Sequence, residues 1–253
     1  QPGEPVLEIE NLAALNDKKF PALKNIGLAV RRNEVLGLAG VSGNGQRELA
    51  EILFGIREAS RGTVKVKGRP LRLGSAVSAI RLGMGRIPED RIETGLLMDL
   101  RVEENLMLEN HVSPEFQRRG LLDFKEIQRF SKELIRAYDI KTAGPHAEAK
   151  SLSGGNLQKV MLARELAGRP AVVIASQPTR GLDVGATEYV HQRILEERER
   201  GAAVLLISED LDEIFALSDR IVVLFEGEVM GEAAVEEASR EQVGLWMSGV
   251  RKE

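Results

Sequence analysis

The sequence contains no cysteine, which excludes disulfide bonds, thiolate nucleophiles and cysteine-ligated metal sites. Its histidines, His111, His146 and His191, lie far apart and lack the spacing of metal ligands. We therefore expect them to be surface or packing residues, and we expect no metal ion in this chain. No apolar run approaches the roughly 18 residues that a membrane-spanning helix needs, and no signal-peptide pattern is present.

The sequence also has no excess of basic residues over acidic ones. The chain has 35 Lys and Arg against 39 Asp and Glu, a net charge of −4, whereas duplex-binding proteins usually carry a basic stripe. We therefore expect no nucleic-acid partner. The 253 residues fit one large α/β domain or two small ones, and the 43% apolar content is sufficient for a core. The Pro- and Gly-containing start, residues 1–5 without Met, predicts a remnant of an interdomain linker and hence a fragment of a longer chain.

The order of elements along the chain predicts a parallel sheet. A continuous apolar run at 35–39 is followed by a glycine-rich loop and a helical pattern at 48–53. Further buried strands and helices alternate at 172–225, as they do in sheets with helices on both faces. A helical block at about 101–165 interrupts this alternation, so we expect it to form a separate lobe.

The loop at 40–47 has the glycine spacing of a phosphate-binding P-loop, in which backbone N–H groups converge on phosphate oxygens at a helix N-terminus. A complete P-loop ends in Gly-Lys-Ser/Thr, where Lys neutralises phosphate and the hydroxyl ligates Mg²⁺. Gln46 and Arg47 occupy those two positions; an amide carries no charge, and an arginine cannot ligate a cation. A glycine turn without any ligand would also explain this loop taken alone. The candidate nucleotide-binding residues are Gly40, Ser42, Gly43, Asn44, Gly45, Gln46 and Arg47.

A second motif, Leu-Ser-Gly-Gly-Asn-Leu-Gln at 152–158, precedes a helical pattern. It resembles the signature of ABC nucleotide-binding domains, usually Leu-Ser-Gly-Gly-Gln; a helix cap would explain the serine but not the whole heptapeptide. In that family the signature contacts the γ-phosphate of ATP held by a partner domain. The resemblance therefore implies action in trans for Ser153, Gly154, Gly155, Asn156 and Gln158.

Residues 172–183 resemble the Walker B strand and D-loop of the same family, which ordinarily contain Asp-Glu-Pro-Thr. Ser176 replaces the Asp that orients Mg²⁺, and Gln177 replaces the Glu that activates water. An amide cannot act as a general base near neutral pH. Asp183 keeps the D-loop carboxylate, which acts in trans. Glu209 stands where the family has the switch histidine, and it would repel a γ-phosphate.

Two further positions are relevant to a nucleotide site. The region at 85–91 is similar to a Q-loop but has Glu89 rather than the expected Gln. The only aromatic residue near enough in sequence to stack on adenine is Phe20, and we expect it to lie in the core.

The resemblance covers residues 6–231 and is closest to the C-terminal nucleotide-binding domain of bacterial importers for simple sugars and nucleosides. It depends on the segments at 43–46, 88–91, 152–159 and 177–183. It implies an α/β P-loop NTPase fold of ABC type, with a mainly parallel core sheet, an N-terminal antiparallel β part and an inserted helical subdomain. The expected boundaries within one domain, 1–253, are an α/β core at 6–100 and 166–235, a helical subdomain at 101–165 and a C-terminal helix at 236–253.

The substitutions and the retained motifs fall in different places. The altered positions belong to the site that the domain would build with its own P-loop, whereas the signature and D-loop act on a partner's nucleotide. The resulting hypothesis is a degenerate half of a transport ATPase that binds ATP weakly, with Mg²⁺ only at the partner's site. Its expected partners are a second ABC domain, in the N-terminal half of the same polypeptide, and a permease that contacts residues 101–140. The expected location is cytoplasmic, peripheral at the inner face of the cell membrane.

Two alternatives remain open on sequence grounds. One is a soluble ABC ATPase of the translation or DNA-repair type, which salt-dependent binding to nucleic acid would indicate. The other is an active ATPase in which Gln46 and Arg47 replace Lys and Ser functionally, which turnover by the isolated chain would indicate.

Overall fold

A computed structural model describes residues 2–111, 113–118 and 120–250, and the structural statements below refer to these residues. The chain divides into two compact units. The first contains Gln1–Arg86, Arg169–Pro178 and Ile194–Glu253, and the second contains Ile87–Gly168 and Thr179–Arg193. Among the described helices, none is both long and apolar enough to cross a membrane.

Strands and helices alternate through much of the chain. The described strands are β1 (Pro5–Leu15), β2 (Pro21–Arg31), β3 (Glu34–Ala39), β4 (Arg61–Val66), β5 (Arg69–Pro70), β6 (Met84–Ile87), β7 (Gln117–Arg118), β8 (Leu121–Leu122), β9 (Val172–Ser176), β10 (Ala203–Ser208), β11 (Arg220–Phe225) and β12 (Glu228–Ala234). The described α-helices are α1 (Gln46–Leu53), α2 (Ala76–Arg81), α3 (Val102–Met107), α4 (Phe124–Ala137), α5 (Gly154–Leu166), α6 (Val184–Glu199), α7 (Leu211–Leu217) and α8 (Arg240–Met247).

The larger sheet has the strand order β12-β11-β3-β10-β9-β6. β3 pairs in parallel with β10 and β11, β10 pairs in parallel with β9, and β12 returns antiparallel to β11. Every residue of β3, β9 and β10 is buried, which explains why these strands appear in the sequence as continuous apolar runs. The predicted mainly parallel core sheet is confirmed.

A second sheet, in the order β2-β1-β4-β5, is antiparallel. Its buried residues, such as Leu7, Leu12 and Ile26, share one apolar core with Leu36 and Leu205 of the larger sheet. This sheet confirms the predicted N-terminal antiparallel part.

The backbone that precedes β1 is hydrogen-bonded to Arg32, since Gly3 N donates to Arg32 O at 2.8 Å and Arg32 N donates to Glu4 O at 2.9 Å. Of the residues expected to be linker, Pro5 is the first residue of β1, Gly3 and Glu4 are hydrogen-bonded to Arg32, and Gln1 lies outside the described residues.

The second unit contains helices α3, α4 and α5 and a small hairpin. The expected helical block at 101–165 contains an antiparallel hairpin of β7 and β8. Gly120, with φ +81°, supplies the left-handed backbone of the turn.

At the C-terminus α8 covers 240–247 and is capped by Ser239, whose side chain accepts from Gln242 N. The helix expected over 236–253 is therefore shorter, and 251–253 lie outside the described residues.

Candidate functional site

The glycine-rich loop connects β3 to α1, and two of its glycines have left-handed backbone. Gly45 precedes α1 with φ +108°, and a Cβ atom there would lie only 2.5 Å from Ala22 O. Gly43 has φ +89° and open space where its side chain would be. Asn44 Oδ1 accepts a hydrogen bond from Glu226 N at 2.8 Å, which ties the loop to the β11–β12 turn. An open backbone at a helix N-terminus is a suitable place for a phosphate.

Gln46, at the lysine position of a P-loop, is folded back against the loop. Only 7% of the residue is exposed, and its Nε2 donates to Val41 O at 3.1 Å. A Cβ atom at Gly40 would lie 2.3 Å from this Nε2, so only glycine leaves room for the amide. Within the described residues its Oε1 is buried without a hydrogen-bond partner, and such an unpaired acceptor costs about 1–3 kcal/mol. The amide supplies no positive charge to the loop.

Arg47, at the hydroxyl position of a P-loop, is held by carboxylates. Its Nε donates to Glu51 Oε1 at 2.8 Å, and its Nη2 lies 3.9 Å from Asp17 Oδ2. Arg57 joins the same group, donating to Glu51 Oε2 and to Asp17 Oδ1 at 2.6 Å each. The hydrogen bond from Arg57 holds the pKa of Asp17 below its usual value, and Glu51 raises the pKa of Arg47. Arg47 therefore connects α1 to the β1–β2 turn.

Ser176 ends β9, and Gln177 and Glu209 directly follow β9 and β10, which end at the same edge of the sheet as the loop. The register pairs Ser208 with Ala39 and Ile207 with Ser176. Gln177 has φ +48°, and its N–H donates to Ile207 O at 2.8 Å. Its Oε1 accepts from Glu209 N at 3.4 Å. The structure thus brings these three predicted positions together with the loop.

The side chains at this edge do not fit a Mg²⁺ ion. Protein-bound Mg²⁺ is usually held by one or two carboxylates together with phosphate oxygens. Here Ser176 offers a hydroxyl, Gln177 an amide oxygen that already accepts a hydrogen bond, and Arg47 a cation. Glu209 supplies a single exposed carboxylate. Within the part of the chain that the structure describes, no group of three or more His, Asp or Glu residues could hold a metal ion.

In the second unit, the signature lies at the start of α5, with Ser153 as the residue before the helix. The Ser153 side chain does not cap the helix; instead its Oγ accepts from Asn156 Nδ2 at 2.9 Å. Asn156 is in turn fixed by Lys141, whose backbone N–H donates to Asn156 Oδ1 at 2.7 Å. Because Asn156 occupies a lone pair of the hydroxyl, the Ser153 proton remains able to donate elsewhere.

Two residues expected to act in trans have local roles. Gln158 is only 3% exposed, so in the single chain its side chain is buried, and its role in trans stays a prediction. Asp183 is exposed, and its Oδ1 accepts from Ala186 N at 2.9 Å at the start of α6. It therefore acts as a helix cap.

The segment at 89–91 contacts the D-loop region within the second unit. Glu89 forms an ion pair with Arg180, and Arg91 Nη1 donates to Arg180 O at 3.3 Å. A Cβ atom at Gly154 would lie 3.4 Å from Arg91 Nη2, so the guanidinium is adjacent to the signature. Sequence reasoning assigned no role to Arg91 or Arg180. The only signal available was their basic character within two motifs that lie 89 residues apart.

Phe20 is not a core residue. It is 63% exposed on the β1–β2 turn, where Phe20 O accepts from Asn16 N at 2.9 Å. The prediction was wrong because the polar turn at 16–19 closes before Phe20 and leaves its ring outside the apolar core. An exposed aromatic ring on the same unit as the loop is available to stack on a base.

A parallel sheet whose central strand continues through a glycine-rich loop into a helix defines a P-loop type of nucleotide-binding domain. The sequence profile described as ABC transporter matches residues 23–180. The chain belongs to this family, and it is an ABC transporter ATP-binding domain related to sugar and nucleoside import ATPases.

Two curated relatives are the glucose import ATP-binding protein TsgD13 of Haloferax volcanii and the guanosine import ATP-binding protein NupO of Bacillus subtilis. The first is 47% identical over 98% of this chain and 46% of its own length. The second is 39% identical over 98% of this chain and 49% of its own length. The chain thus spans about half the length of the curated relatives it matches. A solved ATP-binding cassette of an ABC transporter in its ADP conformation has a TM-score of 0.76 and 20% identity, covering 97% of this chain and 95% of that one.

The loop geometry predicts different effects of alanine at two nearby glycines. Gly43→Ala should lower the free energy of unfolding by about 1–2 kcal/mol, because only left-handed backbone strain is added. Gly45→Ala should lower it by about 2–5 kcal/mol, because overpacking against Ala22 O adds to that strain. Urea denaturation followed by circular dichroism measures both. Equal losses for the two variants would contradict this description of the loop.

Proposed function

We propose that this domain belongs to an ABC importer for a sugar or nucleoside and that it completes the ATP site of a second nucleotide-binding domain. Its own site binds nucleotide weakly and hydrolyses it poorly or not at all. The observation that supports this most is the division between two groups of residues. The side chains at the loop edge, including Gln46, Arg47 and Gln177, are engaged with the protein itself, whereas the Ser153 hydroxyl is exposed and oriented.

In the domain's own site, the loop would hold phosphate through backbone N–H groups alone. Hydrogen bonds that involve a charged partner are roughly twice as strong as neutral ones, so Gln46 in place of lysine weakens binding. Gln177 cannot accept a proton from water. The carboxylate of Glu209 adds repulsion toward a terminal phosphate. Binding without efficient turnover is the expected behaviour.

In trans, the start of α5 would meet the terminal phosphate of the partner's ATP. The Ser153 hydroxyl, held by Asn156, donates a hydrogen bond, and the N–H groups of Gly154 and Gly155 add donors at the positive end of the helix dipole. Arg91, adjacent to Gly154, contributes positive charge and also holds the D-loop region through Arg180 O. Preorganised donors of this kind stabilise the charge that develops on a transferred phosphoryl group.

The second nucleotide-binding domain is proposed to be the N-terminal half of the same polypeptide. The curated relatives are about twice as long as this chain, which supports the proposal. A solved dimeric ATP-binding cassette has the same fold, with a TM-score of 0.74 and 23% identity over 90% of this chain and 98% of that one. Head-to-tail pairing of two such domains would bring each signature to the other's loop.

The remaining partner is proposed to be a membrane permease, and the domain would lie in the cytoplasm at the inner face of the membrane. In the second unit Leu121, Leu122 and Phe124 are 75%, 41% and 72% exposed. They follow one another around the end of the β7–β8 hairpin and the start of α4. Large apolar side chains that are exposed so close together in the sequence are candidates for an interaction site. It falls within 101–140, the part expected to contact the permease.

The first prediction concerns nucleotide affinity. ATP should bind the chain weakly and almost independently of Mg²⁺, and Gln46→Lys with Arg47→Ser should tighten binding by about tenfold or more. The double variant should still not hydrolyse ATP efficiently, since Ser176, Gln177 and Glu209 are unchanged. Calorimetric titration with and without Mg²⁺ and a phosphate-release assay measure both. Strong Mg²⁺-dependent binding by the unmodified chain, or ordinary turnover by the double variant, would contradict the proposal.

The second prediction concerns the signature. In the complete ATPase, Ser153→Arg should reduce turnover by about 10²- to 10³-fold or more, because it removes a donor and adds bulk at a closing interface. Gln46→Ala should leave most of the turnover, and Ser60→Arg, at an exposed serine of the first unit, serves as the control. Steady-state phosphate release measures all three. If turnover survived Ser153→Arg and were lost with Gln46→Ala, this domain would be the hydrolytic half.

The third prediction concerns the apolar patch. Leu121→Glu with Phe124→Glu should weaken association with the permease by at least about tenfold, because two apolar side chains lose a contact worth roughly 1.5–3 kcal/mol each. ATP binding should be unchanged. Co-purification with the permease and transport into vesicles measure the effect. Val77→Glu, at a valine 57% exposed in the first unit, is the matched control; the same loss in that variant would argue against a specific docking role.

A further inference from the structure

A second concave site lies in the first unit, at the end of the strands opposite the glycine-rich loop. It is a cavity of about 320 Å³ whose wall is formed by the residues that precede β9 and β10 and by the turns after β2 and β4. The loop follows the last residue of β3, whereas this cavity lies where the parallel strands begin. With six residues in β3 and about 3.3 Å per residue, the two ends are about 20 Å apart. The cavity is therefore separate from the candidate nucleotide site.

Positive charge is concentrated in this cavity although the chain as a whole has a net charge of −4. Arg32, Lys67, Arg169 and Arg200 line it, with Glu197 as the only acidic side chain among the lining residues. Glu197 is 2% exposed and pairs with Arg200, and its burial raises the pKa of its carboxyl group. One of the four cations, the half-exposed Arg200, is therefore neutralised by a buried carboxylate.

The other cations are weakly engaged. Arg32 is 3.9 Å from Glu4 Oε1, and both of these side chains are largely exposed. Within residues 2–111, 113–118 and 120–250, Lys67 and Arg169 form no close ion pair or side-chain hydrogen bond, although Arg169 interacts electrostatically with Glu197. They are also not required to cap α6, because the backbone N–H groups of Arg200, Gly201 and Ala202 already pair with its last turn.

The backbone at two of these cations is unusual. Lys67 and Arg169 both have φ +50°, in the left-handed region that glycine and asparagine normally occupy. Among the described residues only three lysines or arginines have positive φ, namely Lys19, Lys67 and Arg169, and two of them line this cavity. Lys67 lies in the two-residue turn between β4 and β5, a turn that requires positive φ, whereas Arg169 lies between α5 and β9. A Cβ atom at Gly201, on the rim, would lie 3.7 Å from Arg32 Nη1, so this glycine is next to the Arg32 guanidinium.

We propose that this cavity is a binding site for a small soluble anion that carries a phosphoryl group, with Arg32, Lys67 and Arg169 as its principal contacts. Guanidinium groups form paired hydrogen bonds with phosphate oxygens, and a lysine ammonium adds a point charge. The volume lies at the lower end of the range for ligand sites, so it accommodates a phosphoryl group with a short organic part. The proposal is independent of the nucleotide and signature roles assigned above.

Inorganic pyrophosphate is the probe, and backbone amide chemical shifts of the whole chain locate its binding. Saturable shifts are expected at Ala171, Gly201 and Ala202. The amides of Gly43 and Gly45 report separately on binding at the glycine-rich loop. Shifts confined to the loop, or shifts over the whole surface that do not saturate, would overturn the proposal.

Lys67→Gly with Arg169→Gly removes two cations without a folding penalty, since glycine adopts the left-handed backbone freely. The affinity for pyrophosphate, measured from the amide shifts of Ala171, Gly201 and Ala202, should fall by about tenfold for each cation removed. Lys19→Gly is the matched control, an exposed lysine with φ +66° outside the cavity, and it should leave these shifts unchanged. Unchanged affinity in the double variant would overturn the proposal.

A second experiment measures binding of the chain to vesicles that contain phosphatidylglycerol. Binding to these vesicles without binding of pyrophosphate would assign the cavity to a lipid headgroup and would contradict a soluble ligand.

Discussion

The parallel pairing of β3 with β10, and of β10 with β9, is the constraint on which the candidate nucleotide site depends. These strands are buried along their whole length, so a shift of register by one residue would exchange the side chains between the two faces of the sheet. Because the register is fixed, Gly40, Gln177 and Glu209 each follow a strand at the same edge. Substitutions far apart in the sequence therefore alter a single place in the structure.

At that place the substituted side chains form contacts within the protein itself. Gln46 donates to Val41 O, Gln177 accepts from Glu209 N, and Arg47 joins Glu51 and Asp17. Each of these contacts uses a group that a hydrolytic site would direct toward phosphate, metal or water. In the second unit Asn156 acts differently, because it fixes Ser153 while leaving the hydroxyl proton free to donate. This contrast is the physical basis for assigning weak binding to one site and a contribution in trans to the other.

Sequence patterns predicted the parts of the fold that depend on local periodicity. Continuous apolar runs identified the buried strands β3, β9 and β10. The β7–β8 hairpin was missed because each of its strands has only two residues, too few for a strand periodicity to be visible in the sequence. Phe20 was misassigned because hydrophobicity alone does not show on which side of a turn a ring lies.

The candidate site was predicted as a set of positions but not as a set of contacts. The sequence placed Gln46, Ser176, Gln177 and Glu209 in one site through resemblance to a family pattern. The hydrogen bond of Asn156 to Ser153 spans three residues at a helix start and could have been anticipated. The contacts of Arg180 with Glu89 and Arg91 depend on how separate segments of the second unit pack. No local pattern encodes such a pairing.

The central claim is that hydrolysis occurs on the partner domain and not on this one. Labelling of the complete ATPase with a photoreactive azido-ATP in the presence of Mg²⁺ and orthovanadate traps nucleotide where hydrolysis has taken place. Cleavage between the two halves then shows which domain carries the trapped label. We predict label on the partner domain, lost in Ser153→Arg and retained in Gln46→Ala. Vanadate-dependent label on this domain, at a level equal to that of its partner, would contradict the account.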